Sequence, residues 1–403
     1  MPTDYRCRRV PRPVMGERPP PQGEWGDFHP RPQTLTAYAA NMGKWGKRDD
    51  MIVHQESPYN AEPAPAALDR HPLTPLGTFF GRNHGMIQHI DPDAWRLRVD
   101  GLVDRPRTFS LAELQRRYEH RGVVATLQCA GNRRAELTAV RPIPGQVLWG
   151  PAAISTARWV GAPLADVLAD AGLLPQAEHI AFVEAHTQPK AGEWPVFGGS
   201  IPVGKATAGE VLLAWEMNGA PLPAVHGGPV RVIVPGYIGA RSVKWLQRVT
   251  AQEQPSDNHF QAADYRMLPP DADRAEAEEG HGLSLGVAAL NAAILTPTDG
   301  QALLAGPVRV SGYAVAGEGR GVARVDVSVD RGRHWRQAEF GETDDPWAWR
   351  LWQISLELPP GPAQIVARAW DTSATVQPER AENVWNPLGY MNTAWSRVRV
   401  TCA

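Results

Sequence analysis

The pattern of the chain changes character once, at residues 271–282 (DADRAEAEEGHG), an acidic stretch with no apolar anchor. A segment of that composition has nothing to bury and reads as a linker. Beyond it, residues 283–403 carry only strand signals. ARVDVSVD alternates with Val325, Val327 and Val329 on one face, a DRGR turn follows, and QIVARAWD alternates likewise. About 120 residues of short alternating strands between turns predict an immunoglobulin-like sandwich. Seven of the 15 tryptophans fall between Trp335 and Trp395, enough aromatic area for a core and for an interface.

Upstream the pattern is mixed. WRLRVDGLV from Trp95 alternates like a strand entering a turn, and SLAELQRRY opens with Ser110 followed three residues later by Glu113, a capping-box start. PLADVLADAGLL has helical spacing and a stop at Gly172, whereas VVATLQ (Val123 to Gln128) is β-prone and ends at Cys129. In VRVIVPGYIGARSVKWLQRV (Val230 to Val249), apolar strands broken by Pro235-Gly236 and Gly239 suit backbone packed closely around a ligand. The fold class is therefore α+β over 71–270, then the all-β sandwich. Residues 1–70 (RPPPQGEWGDFHPRP, then NAEPAPA) show neither period and read as a proline-rich, extended arm.

Charge excludes several functions. With 41 Lys+Arg against 43 Asp+Glu the net charge is −2, so no global basic field draws nucleic acid or an anionic membrane. No apolar run approaches the roughly 18 residues of a membrane helix. The N-terminal Arg8-Arg9 is followed by Pro11 and Pro13 rather than an apolar segment, so the expected location is cytoplasmic. The three cysteines, Cys7, Cys129 and Cys402, form neither a disulfide framework nor a C-x-x-C pair, which leaves out zinc ribbons, thioredoxin-type sites and c-type haem attachment.

The stretch TLQCAGNRRAE (Thr126 to Glu136) concentrates the chemistry. A cysteine at a strand end, a small-residue turn and two arginines bring N–H groups and guanidinium charge toward sulfur, which favours a thiolate able to bind a soft metal or attack an electrophile. An inert core cysteine beside a surface arginine pair is the plain alternative. A phosphatase-type nucleophile fits less well, because Ala135 stands where its phosphate-binding arginine would be and the arginines are Arg133 and Arg134.

TLQCAGNRR closely resembles the signature of the sulfite oxidase family of molybdenum enzymes, and further blocks agree at matching separations. They are FFGRNHG (Phe79 to Gly85), AISTARW (Ala153 to Trp159), GGSIP, WEMNGAPLP, HGGPVRV, GYIGARSVKWL and DYR, so the resemblance runs from about residue 70 to the end. It implies a haem-free, bacterial or plant-like sulfite oxidase with a molybdenum–molybdopterin cofactor whose metal is bound by Cys129. Arg82 and Arg134 would line the anion pocket, Tyr265 would stand at the reacting oxygen and Trp149 would shape the pocket. The pterin and its phosphate would be held by Phe80, Gly81, Arg82, Asn83 and His84, by His226 with Arg231, and by Ser242, Val243 and Lys244. Guanidinium forks suit a small oxyanion such as sulfite. The C-terminal sandwich resembles the family's dimerisation domain and implies a homodimer.

Two departures bear on function. The block that commonly carries a substrate-pocket arginine reads WNPLG here, with Leu388 in that place. Nitrate reductases of this fold also have an apolar residue there but lack the tyrosine matched by Tyr265, so a reductase of nitrate or another oxidised substrate is the alternative. The family's acidic pterin contact falls near Thr187. No HPGG string and no C-x-x-C-H motif is present, so no haem is expected and electrons would pass to dioxygen or a separate cytochrome.

Overall fold

A computed structural model describes residues 43–185, 195–273, 275–341 and 345–403; residues 1–42, which hold most of the proline-rich arm, and Thr187 lie outside the described residues. The α+β half is built on two five-stranded sheets. In the first, Arg121–Gln128 pairs antiparallel with Ile154–Pro163, which pairs with Leu212–Met217; Arg231–Ile233 and Ala220–Pro221 also pair with that last strand. The second runs Arg107–Ser110, Arg96–Gly101, Leu246–Gln252, His179–Glu184, Gly198–Pro202, with one parallel pair at its centre. Leu97, Val99, Ile180, Phe182, Ile201 and Val249 from the second sheet bury against Leu213, Val230, Val232 and the helix Leu164–Ala171.

Local chemistry sets the few helices. Ser110 accepts from the Glu113 backbone N–H while the Glu113 carboxylate takes the Ser110 N–H, so Leu111–Arg117 starts at a complete capping box. Leu164–Ala171 stops where Gly172 turns left-handed at φ 70°. The acidic stretch read as a linker contains a helical turn, Ala275–Glu278, and is closed at its base by pairing of Arg266–Met267 with Leu283–Ser284.

The C-terminal half is a two-sheet sandwich. Asn291–Thr296, Gly306–Val315, Arg350–Leu358 and Glu339–Phe340 form one sheet; Gln301–Leu303, Ser396–Cys402, Gly361–Asp371, Val322–Ser328 and Arg336–Gln337 form the other. Val325 and Val327 point into the shared core as the alternation requires, whereas Val329 lies past the strand end and is exposed.

Residues 43–70, assigned to the arm on sequence, are packed rather than extended: most of them join the α+β half, while Leu68 and Asp69 meet the sandwich at Tyr313 and Arg309. Ile52–Gln55 pairs with Asn60–Glu62, and Ala61 pairs with Gly81, drawing the FFGRNHG segment alongside. The reason is polar: Asn60 Oδ1 accepts from the Asn83 N–H, and the buried Glu62 carboxylate accepts from the Gly150 and Ala152 N–H groups.

Candidate active site and cofactor pocket

Strand Arg121–Gln128 owes its form to the β-branched Val123, Val124 and Thr126, and its end delivers Cys129 to the wall of a cavity. The Cys129 N–H still bonds to Ala153 O, and the chain then turns back so that Asn132 N–H reaches Cys129 O. Opposite, Gly239 brings the loop close: a Cβ there would sit 3.1 Å from Gln128 O. Phe80, Arg82, His84, His226, Arg231, Ser242, Lys244 and Tyr265 line the same cavity.

At one end, Arg82, His84 and Tyr265 are chained. Arg82 Nη2 lies 3.1 Å from His84 Nδ1, and His84 Nε2 lies 2.8 Å from Tyr265 Oη. An arginine only donates, so Nδ1 accepts, Nε2 carries the ring hydrogen and donates to Tyr265, and the tyrosine's own O–H is left for another acceptor. Burial first, then the charges of Arg82, Lys244 and His259, hold His84 well below its ordinary pKa, which keeps it neutral for this role. Burial likewise pushes the Tyr265 hydroxyl well up, so it stays protonated.

Adjoining this chain of side chains, the wall is cationic. Arg231 donates to His226 O at 2.8 Å and Ser242 O at 2.7 Å, tying two loops together, and burial lowers it to about 9. Lys244 Nζ donates to Arg82 O at 3.0 Å, to Val225 O at 3.1 Å and to Asn83 Oδ1. Burial chiefly, and then Arg231, depress its pKa far below the ordinary value. One acid faces this group: Glu184, raised to about 7 by burial, whose carboxylate accepts from the Phe197 N–H.

Not every expected residue reaches the cavity wall. Asn83, Gly81 and Val243 act from behind it through backbone and amide bonds. Arg134, expected in the anion pocket, is also absent from that wall: its Nε donates to Leu388 O and Gly389 O, its Nη1 to Val147 O, and its guanidinium sits 5.1 Å from the Tyr390 ring. Gly389, at φ 63°, allows this, since a Cβ there would meet Arg134 Cγ at 2.7 Å. Trp149 lies in the core cluster behind Cys129, fully buried and edge-on to His54, with its indole N–H unpaired among the described residues. Leu388 faces the core, and its loop supplies Tyr390, stacked 5.2 Å from Tyr265 and hydrogen-bonded to Asp264.

Tyr390, Glu184, Asn60 and Lys47 were missed on sequence. Tyr390 stands two residues from Leu388 in a block already singled out, so its neighbourhood was legible. The other three sit in segments whose composition carries no catalytic pattern.

A sheet-built pocket with a single cysteine and a surplus of buried cations defines a site for a large anionic cofactor. The family model "Oxidoreductase molybdopterin binding domain" matches residues 84–260, and "Mo-co oxidoreductase dimerisation domain" matches residues 285–403. The chain is 43% identical over 361 residues to the mitochondrial sulfite oxidase of Homo sapiens, an alignment covering 86% of this chain and 65% of that protein. It is 38% identical over 374 residues to the sulfite oxidase of Arabidopsis thaliana, covering 87% and 94%. The solved structure of the sulfane dehydrogenase SoxCD from Paracoccus pantotrophus superposes with a TM-score of 0.74 at 26% identity, covering 93% of this chain and 92% of that one. The chain belongs to the sulfite oxidase family of molybdopterin-dependent oxidoreductases. It spans 65% of the length of the human relative.

The residues fit that cofactor. Among the described residues no three His, Cys, Asp or Glu side chains converge as a metal-ligand set, so Cys129 would serve as a lone protein ligand, with the remaining ligands brought by the cofactor. Among the described residues, Glu184 is the one carboxylate lining the cavity beside Arg231 and Lys244, a balance that suits the pterin's phosphate. Among the described residues, no helix is long and apolar enough to cross a membrane.

Proposed function

We propose that this protein oxidises sulfite to sulfate at a molybdenum centre held by Cys129, with the pterin's phosphate bound by His226, Arg231, Ser242 and Lys244. The observation that carries the reading is the placement of Cys129, Arg82 and the His84–Tyr265 pair around one cavity. In overall balance, sulfite and water give sulfate, two protons and two electrons. When bound, the cofactor supplies the two-electron oxo-transfer chemistry. Arg82, anchored by Asn60 Oδ1, Asn83 O and His84, binds and orients the anion. Tyr265, receiving His84 Nε2–H, holds a proton ready at Oη for an oxygen of the substrate. Phe79, Phe80 and Leu127 narrow the cavity and exclude bulk water. Arg134 contributes charge from behind Tyr390, and Trp149 backs the Cys129 turn.

The same proposal includes a catalytic domain over 71–270, a connecting segment over 271–282 and a dimerisation domain over 283–403 forming a homodimer. It includes a cytoplasmic location, a haem-free active form and an external acceptor, dioxygen or a cytochrome. The family description of residues 285–403 supports the dimer. Light scattering showing a monomer at micromolar concentration would remove that part.

The direct test is sulfite-dependent ferricyanide reduction by protein matured with the cofactor, beside Cys129→Ser, which keeps the fold but replaces a soft thiolate by a hydroxyl. Turnover that disappears in Cys129→Ser is the expected result, and near-native activity of that variant refutes the assignment. Leu388, in the place of a pocket arginine, favours one second reading, a reductase of nitrate or another oxidised substrate. Nitrate turnover with a reduced dye, without sulfite oxidation by molybdenum-loaded protein, would establish it.

A further inference from the structure

Lys47 lies outside the family-model match and outside every motif read from the sequence, yet it is 2% exposed and contacts His226, a residue of the pocket wall. It follows a short 3₁₀ turn, Lys44–Gly46, and its Nζ lies 2.6 Å from Leu76 O, 2.8 Å from Phe79 O and 2.6 Å from His226 Nε2. No carboxylate is among these partners. The two carbonyl oxygens can only accept, so Lys47 donates to both, and its remaining contact is His226 Nε2.

We infer that Lys47, by donating an N–H to Nε2, holds His226 in the neutral tautomer protonated at Nδ1, so that the ring presents an N–H donor to the phosphate of the pterin. Lys47 is thereby a positioning residue for cofactor binding. The geometry leaves His226 little freedom: Nε2 is occupied by Lys47, Phe79 packs edge-on at 5.0 Å, and Arg231 grips the His226 carbonyl at 2.8 Å. The ring lines the cavity, and no partner for Nδ1 is found among the described residues. An anion needs a donor there, and a ring with the opposite tautomer would offer it a lone pair. Burial and the cations Lys47, Lys244 and Arg231 hold the ring uncharged, so its tautomer rather than its charge decides what it offers. The tie to Phe79 O also anchors the start of FFGRNHG, linking both phosphate-end segments to one side chain.

This inference rests on the reading that the pocket holds the pterin, and its test separates the two. In ¹⁵N-histidine-labelled, cofactor-loaded protein, long-range ¹H–¹⁵N correlation, with the His226 signal assigned by its loss in His226→Asn, should show Nδ1 protonated and Nε2 bare. Nε2 protonated in the wild-type protein overturns the proposal. In Lys47→Met, pterin retained after gel filtration, measured as the fluorescence of the oxidised pterin, should fall roughly tenfold, as for loss of an outer-shell partner of a ligand histidine. His226→Asn keeps an amide N–H near the Nδ1 position, so adding Lys47→Met to it should cost little more. An equal loss in both backgrounds means that Lys47 acts independently of His226 and also overturns the proposal. Retained pterin and the expected tautomer without sulfite turnover would break the functional reading and leave Lys47 in its role.

Discussion

Two regions bury arginine and lysine in opposite ways. At the seam between the α+β half and the sandwich, Arg133 is fully buried, yet every arm of its guanidinium is matched. Nε and Nη2 pair with the Glu136 carboxylate, and Nη1 reaches Asn291 Oδ1, Ala292 O and Ala394 O. Burial pulls its pKa down, but Glu136 more than offsets this and the net shift is upward. Around the cavity Lys47 and Arg231 are buried and Lys244 is half-buried; they bond mainly to neutral carbonyls and are driven downward. A cation satisfied within the chain serves the fold; cations left without counter-charge mark where an external anion belongs.

The sharpest way to break this contrast is Arg133→Met. Removing the seam's cation strands Asn291 Oδ1 and two carbonyls between the domains and is expected to cost about 3 kcal/mol of stability, with or without cofactor. A denaturant midpoint unchanged from wild type would show that the seam does not depend on this network. Tyr265→Phe probes the cavity's aromatic end: His84 Nε2–H loses its acceptor, at a cost of about 1 kcal/mol. Turnover should fall while bound molybdenum stays at the wild-type level, and loss of the metal would instead mean that Tyr265 holds the pocket together. Lys244→Met should act in the reverse sense to Arg133→Met. Cofactor-free protein should be unchanged or more stable by up to about 1 kcal/mol, because an amine whose charge the site already disfavours is gone, while pterin retention drops. A large loss of apo stability would erase the distinction.

The smallest effect per residue is a slope with pH. His84 and His226 titrate near 6.5 when unfolded and well below that in the fold, so between those values the unfolded chain binds the extra protons. Their contribution is whole above 6.5 and drains away as pH falls. Lys47 acts in the same sense between 10.5 and about 7. Glu184, raised from 4.5 to about 7, acts in the opposite sense between those values, so cofactor-free protein should melt clearly lower from about pH 9 to about pH 7 and fall more shallowly below it, and bound anion should flatten the trend. Parallel slopes with and without cofactor would mean that these groups do not face it.

Much of the architecture was legible in one dimension because its causes are local. The Ser110–Glu113 box, the Gly172 stop, the period of Val325 and Val327 and the position of Cys129 at a strand end depend on neighbours a few residues away. Of the residues singled out from the family blocks, Arg82, His84, His226, Lys244 and Tyr265 line one cavity. What tertiary structure alone decided is direction and partnership. Arg133 and Arg134 are adjacent, yet Arg133 takes a left-handed φ of 64°, so one guanidinium enters the seam and the other turns to Tyr390. Lys47 and His226 meet across 179 residues, and Asn392 reaches Arg133 O across 259. Composition cannot foretell such contacts, because whether a buried cation finds a carboxylate depends on which distant segment the packing of sheets delivers to it.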